Sequence, residues 1–229
     1  MLQKTINFII LLGLPIYIAD CFAIQQKQPI VILCTGALIS QKFEERKTEY
    51  ITVLNILNRQ PLPVFFVESC TVENFSYLND YCEHVFYSHS NNFSLKNKGV
   101  NEAKAMIKAL EYFNFDDDSL IIKLTGRYPF NNFDFINLIL NNQSYDAFIK
   151  CDSQGQVYTG CFAMRCKHMK NMIAQLNLVG MEKHMINIEA EVARYINKNI
   201  LSHTIYPVSS LGITARFFGN GGILDIQEL

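Results

Sequence analysis

Short apolar runs, each closed by glycine, proline or a polar turn, alternate along this chain with longer stretches in which apolar residues recur every three or four positions. The first run, Pro29-Ile30-Val31-Ile32-Leu33-Cys34, is nearly continuous and ends in Thr35-Gly36. Continuous apolar character suits a central parallel strand covered on both faces. An amphipathic helix is predicted over about 41–58, with Tyr50, Val53, Leu54 and Leu57 as its stripe and Glu44, Glu45, Arg46 and Lys47 on its wet face. Pro61 and Pro63 end it. Val64-Phe65-Phe66-Val67-Glu68 is the second strand, Phe75 to Cys82 a short helix, and His84-Val85-Phe86-Tyr87-Ser88 the third strand, followed by the polar loop His89-Ser90-Asn91-Asn92.

A second clear helix opens at Lys96-Asn97-Lys98-Gly99-Val100-Asn101-Glu102 and runs to about Phe113, with Ala103, Met106, Ile107 and Leu110 at helical spacing. Asn114 to Asp118 turns the chain into the strand Leu120 to Leu124. The triple aspartate Asp116-Asp117-Asp118 reads as turn or cap chemistry. Strand, helix, strand, helix, strand, helix, strand argues for a mainly parallel α/β sheet. The second half is less regular. It offers a helix at 133–140, strands at 146–151 and 158–165 joined by the turn Asp152-Ser153-Gln154-Gly155, helices at 167–178 and 185–197, a strand at 204–208 and an irregular tail from Gly212. The run Gly219-Asn220-Gly221-Gly222 in that tail reads as a lid or a loose end.

Composition adds bounds. The 229 residues are 49% hydrophobic and carry net charge -1, enough chain for one sizeable core and no basic excess to suggest a nucleic-acid partner. Lys4 and the apolar run Ile6 to Ile18, with small residues at Cys21 and Ala23, read as a signal peptide cut after Ala23 or as an uncleaved anchor. The expected organisation is therefore a targeting segment at 1–23 and one domain at 24–229, exported or membrane-anchored. Six cysteines follow Ala23, and Cys70–Cys82 and Cys161–Cys166 are candidate bridges beside the alternative of buried thiols. Asn74, Asn92 and Asn142 head glycosylation sequons.

Ligands of open α/β sheets bind outside the carboxyl ends of the strands. Lys123 and Arg127, with Gly126 between them, stand at that end of the strand Leu120 to Leu124, where an anion would sit. An ion pair covering the strand end accounts for the same residues. His89, His168, His184 and His203 show no metal spacing among them.

Three pieces resemble nucleotide-sugar glycosyltransferases of the GT-A fold. They are Leu33-Cys34-Thr35-Gly36, Asn97-Lys98-Gly99-Val100-Asn101-Glu102, and Ile122-Lys123-Leu124-Thr125-Gly126-Arg127-Tyr128. The last is similar to a Lys-x-Thr-Gly-Arg-Tyr segment of bacterial capsule and surface-polysaccharide transferases. The resemblance implies a nucleotide-diphospho-sugar transferase, GT-A-like fold, three-layer α/β/α with a mainly parallel mixed sheet. It also implies a nucleotide-sugar donor and a glycan or lipid-linked acceptor. Thr35, Gly36, Asn97, Lys98, Lys123, Thr125, Gly126 and Arg127 are then the residues expected on the nucleotide diphosphate. Most such enzymes hold a divalent metal on an Asp-x-Asp just after the middle strand. Here that place reads Lys123-Leu124-Thr125-Gly126-Arg127, so no metal is expected and the two cations would neutralise the leaving diphosphate. A base for the acceptor hydroxyl is sought in Glu189, Glu191 or Asp152, Glu189 first. Helix-dipole and turn roles account for the same acids. A non-catalytic carbohydrate-binding or assembly protein on the same fold is the alternative, and a transferase using another phosphorylated donor a third reading.

Overall fold

The computed structural model describes residues 29–38, 42–70, 77–218 and 224–229. The expected targeting segment 1–23, the sequon at Asn74 and the glycine run 219–222 lie outside the described residues.

The first half contains β1 (Ile30–Gly36), α1 (Phe43–Leu57), β2 (Val64–Glu68), β3 (His84–Tyr87), α2 (Lys98–Phe113) and β4 (Leu120–Thr125). The second contains α3 (Asp134–Asn141), β5 (Ala147–Ile149), β6 (Cys161–Arg165), α4 (Cys166–Ala174), α5 (Leu178–His184), α6 (Ile188–Asn199) and β7 (Ile205–Pro207), then the hairpin β8 (Thr214–Phe218) and β9 (Leu224–Glu228). Among the described residues, seven strands form one sheet in the order β3-β2-β1-β4-β6-β5-β7. Strands β3, β2, β1 and β4 are mutually parallel, and β5 is parallel to β7. Strand β6 runs against both its neighbours, so the sheet is mixed and mainly parallel.

Side-chain alternation along the strands builds two cores. Ile30, Ile32 and Cys34 of β1 pack with Tyr50, Val53, Leu54 and Leu57 of α1 and with Phe135, Ile136 and Ile139 of α3. Val31 and Leu33 point the other way, into Val100, Ala103 and Met106 of α2, Met169 and Met172 of α4, and Val192 and Ile196 of α6. Covering both faces explains why β1 lacks an apolar-polar alternation in its sequence. The result is a three-layer α/β/α fold with a mainly parallel mixed sheet. Its strands β1, β2, β3 and β4 all present their carboxyl ends at one edge, and this edge carries the cleft described below.

Several local expectations are corrected. Residues 77–82 form a turn rather than the end of a helix. The stretch expected as one helix to residue 178 breaks after Ala174, and Asn177 restarts it as α5 by accepting from Gly180 N at 2.9 Å. Met185, at φ 53°, ends α5 in the left-handed region, so the next helix begins at Ile188, capped by Asn187. The tail is a hairpin, not irregular coil: its alternating Leu224-Asp225-Ile226-Gln227 pairs back on β8. Neither candidate disulfide can form. Cys161 and Cys166 lie at opposite ends of β6, and Cys70 and Cys82 at opposite ends of β2, where Cys82 donates to Val64 O at 3.3 Å. A strand of five residues spans roughly 16 Å, against about 6 Å between the Cα atoms of a disulfide. All six described cysteines are thiols.

The triple aspartate sits at the amino end of β4 and serves as a turn, as its place suggests. Asp116 accepts from Asp118 N at 2.9 Å, while Asp117 and Asp118 pair with Lys170 and Lys167 of α4 at 2.7 and 3.5 Å.

Candidate functional site

A cleft of about 320 Å³ opens at the carboxyl ends of β1, β2 and β4. Thr35 and Gly36 of β1, Ser69 after β2 and Thr125 of β4 line its inner end. Helix α1 contributes Arg46 and Tyr50. The first two turns of α2 contribute Lys98, Asn101 and Glu102, the loop after β3 contributes Asn91, Asn92 and Phe93, and Arg127 follows β4. Among the described residues, three cations from three elements thus line the cleft with a single glutamate, and the amino end of the 16-residue α2 adds its partial positive charge. The cleft favours an anion.

Its backbone is held tightly. The Tyr50 hydroxyl both accepts from Ala37 N at 2.9 Å and donates to Ala37 O at 3.1 Å. Arg46 Nη1 donates to the same carbonyl at 2.7 Å, while its buried Nε has no partner among the described residues. Beneath them Glu68, 2% exposed, accepts from Leu38 N at 2.6 Å and from Cys70 N at 3.1 Å. Burial pushes its carboxyl up to about 7, although these backbone donors and Arg46 pull the other way. Glu68 therefore ties the exits of β1 and β2 together under the cleft.

The glycines have a packing reason. A Cβ on Gly126 would stand 2.7 Å from Phe66 Cζ, and one on Gly36 2.8 Å from Phe66 Cε1. The Phe66 ring thus lies against both strand exits, and only glycine leaves it room. Gly36 lines the cleft, whereas Gly126 is a packing residue whose N–H donates to Thr35 O at 2.8 Å.

Lys123 takes a position the strand-end argument did not anticipate. In register with Leu33 and Phe162, it points into the α2-side core and is 0% exposed. Its ammonium pairs with the Glu102 carboxylate and donates to Thr159 O at 2.6 Å and Thr125 Oγ1 at 3.2 Å. The Thr159 hydroxyl then donates to Glu189 at 2.9 Å. So Lys123 stands behind the cleft wall and fixes two residues that line it, Glu102 and Thr125. Burial raises the Tyr128 phenol pKa, Arg127 opposes the rise, and Glu102 and Glu189 both add to it. The two carboxylates are therefore within electrostatic reach of one ring.

Among the other expected residues, Thr35, Gly36, Lys98, Thr125 and Arg127 meet at the cleft. Asn97 faces away from it. Its side chain caps α2 by accepting from Gly99 N at 3.0 Å and donates to Met181 O and Ile186 O at 2.9 and 2.7 Å, docking the α5–α6 corner. Asp152 accepts from Gln154 N and Gln156 N at 2.8 and 2.9 Å, closing the turn between β5 and β6. Sequence reasoning passed over Arg46, Glu68, Asn101, Glu102 and Phe93 as site residues. Arg46 reads as one more charge on a wet helix face. Glu102 carried a usable signal, since it sits four residues into the helix start already singled out.

No protein family matches the sequence, and no curated protein does. The fold does match solved structures. A protein assigned as a nucleotide-diphospho-sugar transferase from Desulfovibrio desulfuricans G20 superposes with a TM-score of 0.51 at 15% identity, over 79% of this chain and 80% of that one. A 4-diphosphocytidyl-2C-methyl-D-erythritol synthase superposes with a TM-score of 0.51 at 11% identity, over 81% of this chain and 92% of the other. At such identities the likeness is one of fold.

Proposed function

We propose that this chain is a glycosyltransferase that moves a sugar from a nucleotide-sugar donor to a glycan or lipid-linked acceptor. The observation that carries the reading is the cationic cleft at the carboxyl ends of β1 and β4 on a nucleotide-diphospho-sugar transferase fold. Transfer breaks the bond between the sugar's anomeric carbon and the diphosphate oxygen and forms one to the acceptor oxygen. Negative charge grows on the leaving diphosphate, and preorganised cations stabilise it. Arg127 and Lys98 are assigned that task at the diphosphate, with Arg46 at the inner wall, so the cleft's own cations supply the counter-charge an Asp-x-Asp-bound metal would give. Lys123 acts from behind, orienting Glu102 and Thr125. Glu189 is assigned as the base that takes the acceptor proton. Its link through Thr159 to Lys123 and the cleft supports it over Asp152, which closes a turn. Residues 1–23 are read as a signal peptide or anchor that brings the domain to a lumen, periplasm or exterior.

The direct test is release of nucleoside diphosphate from a panel of nucleotide sugars, assayed with a metal chelator present. Release is expected from at least one donor, unchanged by chelator and reduced at least tenfold in Arg127→Ala. Nucleotide binding without turnover on any donor would favour the non-catalytic carbohydrate-binding alternative, which the internal engagement of Lys123 and Asp152 would suit.

A further inference from the structure

We propose that Phe93 is the platform on which the base of a nucleoside diphosphate stacks, and that Asn101 positions it. The inference rests on the donor-cleft reading above and deepens it by assigning the end of the ligand that the cations do not touch.

Sheet order sets the order of chemistry along the cleft. Phe93 hangs from the loop after β3, the edge strand, whereas Arg127 follows β4, and β2 and β1 lie between. Three strand spacings separate those exits, roughly 14 Å. One end of the cleft therefore offers a flat aromatic face, the middle offers hydroxyl and backbone groups at Thr35 and Gly36, and the far end offers guanidinium. An elongated ligand with an aromatic group at one end and charge at the other fits that sequence. A nucleoside diphosphate has this polarity, and inorganic pyrophosphate has only its charged half.

The platform is fastened although its ring is bare. Asn101 accepts from Asn92 N at 2.9 Å and donates to Asn92 O at 2.9 Å, holding that residue's backbone on both sides. Asn92 Oδ1 in turn accepts from Ser94 N at 2.9 Å and Ser94 Oγ at 2.7 Å, and Asn91 N donates to Ser69 O at 2.8 Å. The residues flanking Phe93 are thus held to α2 and to the β2 exit, while Phe93 itself is 57% exposed at the cleft. A ring left that open does little for the core. A π-face carried on a fastened loop at an anion-binding cleft is what base stacking needs, and stacking accepts any base.

The chain has no tryptophan, so Phe93→Trp gives a single fluorescent reporter at the proposed contact. Titrating the full chain with UDP, GDP, CDP and ADP should quench its emission with at least one of them, saturably, while inorganic pyrophosphate binds without quenching. Phe93→Ala should weaken that nucleotide about tenfold, the scale of one lost stacking contact, and leave pyrophosphate affinity unchanged. Asn101→Ala should show the same selective loss, which a general loss of stability would not produce. If nucleotides and pyrophosphate both bind but the reporter stays silent and Phe93→Ala binds both like the parent, the stacking assignment is overturned and the anion cleft stands. If neither binds the native chain, the cleft reading falls and this inference with it.

Discussion

Lys123 has no exposed surface, and its ammonium is matched by Glu102, whose side chain is 26% exposed. Removing one partner of a buried pair costs on the order of 3–5 kcal/mol, because the other charge is left uncompensated. Lys123→Met is therefore expected to lower unfolding stability by about 3 kcal/mol in urea titration, and Glu102→Gln to do likewise by orphaning a buried ammonium. The double variant should recover part of the loss, since neither charge then remains alone. A Lys123→Met protein as stable as the parent yet unable to bind nucleotide would instead make Lys123 a direct ligand contact. In sequence, Lys123 reads as a strand-end cation because its position in the strand is legible. Its partner, 21 positions back on a helix, is not.

At the scale of elements, the exits of β1 and β2 are governed by Glu68 and Phe66. The raised Glu68 carboxyl, from 4.5 to about 7, has a definite sign. Between those values the folded chain holds a proton that the unfolded chain has released. Stability from this group is thus fully present below pH 4.5 and is lost as pH rises through 7. The window corresponds to about 3 kcal/mol. Urea unfolding at pH 5 and pH 8 should show the native chain losing more stability on that rise than Glu68→Gln does, and equal losses would remove Glu68 as the source. The strands β1, β2 and β4 and the helices α1 and α2 were legible because two-sided burial and helical periodicity leave strong patterns over five or more residues. The break after Ala174 was not, since it depends on Asn177 and Met185 adopting capping conformations within an otherwise helical pattern. The β8–β9 hairpin had a signal, an Asn-Gly pair between alternating segments, that the glycine-rich composition masked. Gly126 is expected on the diphosphate from its place after β4, but the ring it accommodates, Phe66, comes from a neighbouring element.

For the whole molecule, the sheet order brings Thr35, Lys98, Thr125 and Arg127 to one cleft from segments up to 92 positions apart in the chain, counting from Thr35 to Arg127. Each was marked in sequence by its place at a strand exit or helix start, which is where this topology collects ligands. Arg46 and Phe93 were not, because a helix face and a polar loop become cleft walls only after the sheet is assembled. On the proposed function this shared cleft binds a nucleoside diphosphate through its cations. This binding is tested most directly by thermal unfolding of the native chain and of Arg127→Ala with nucleoside diphosphates in chelator. At least one nucleoside diphosphate should raise the melting temperature of the native chain, and Arg127→Ala should fold but lose most of that rise. A native melting temperature unmoved by every nucleotide, or a rise undiminished in Arg127→Ala, would contradict it.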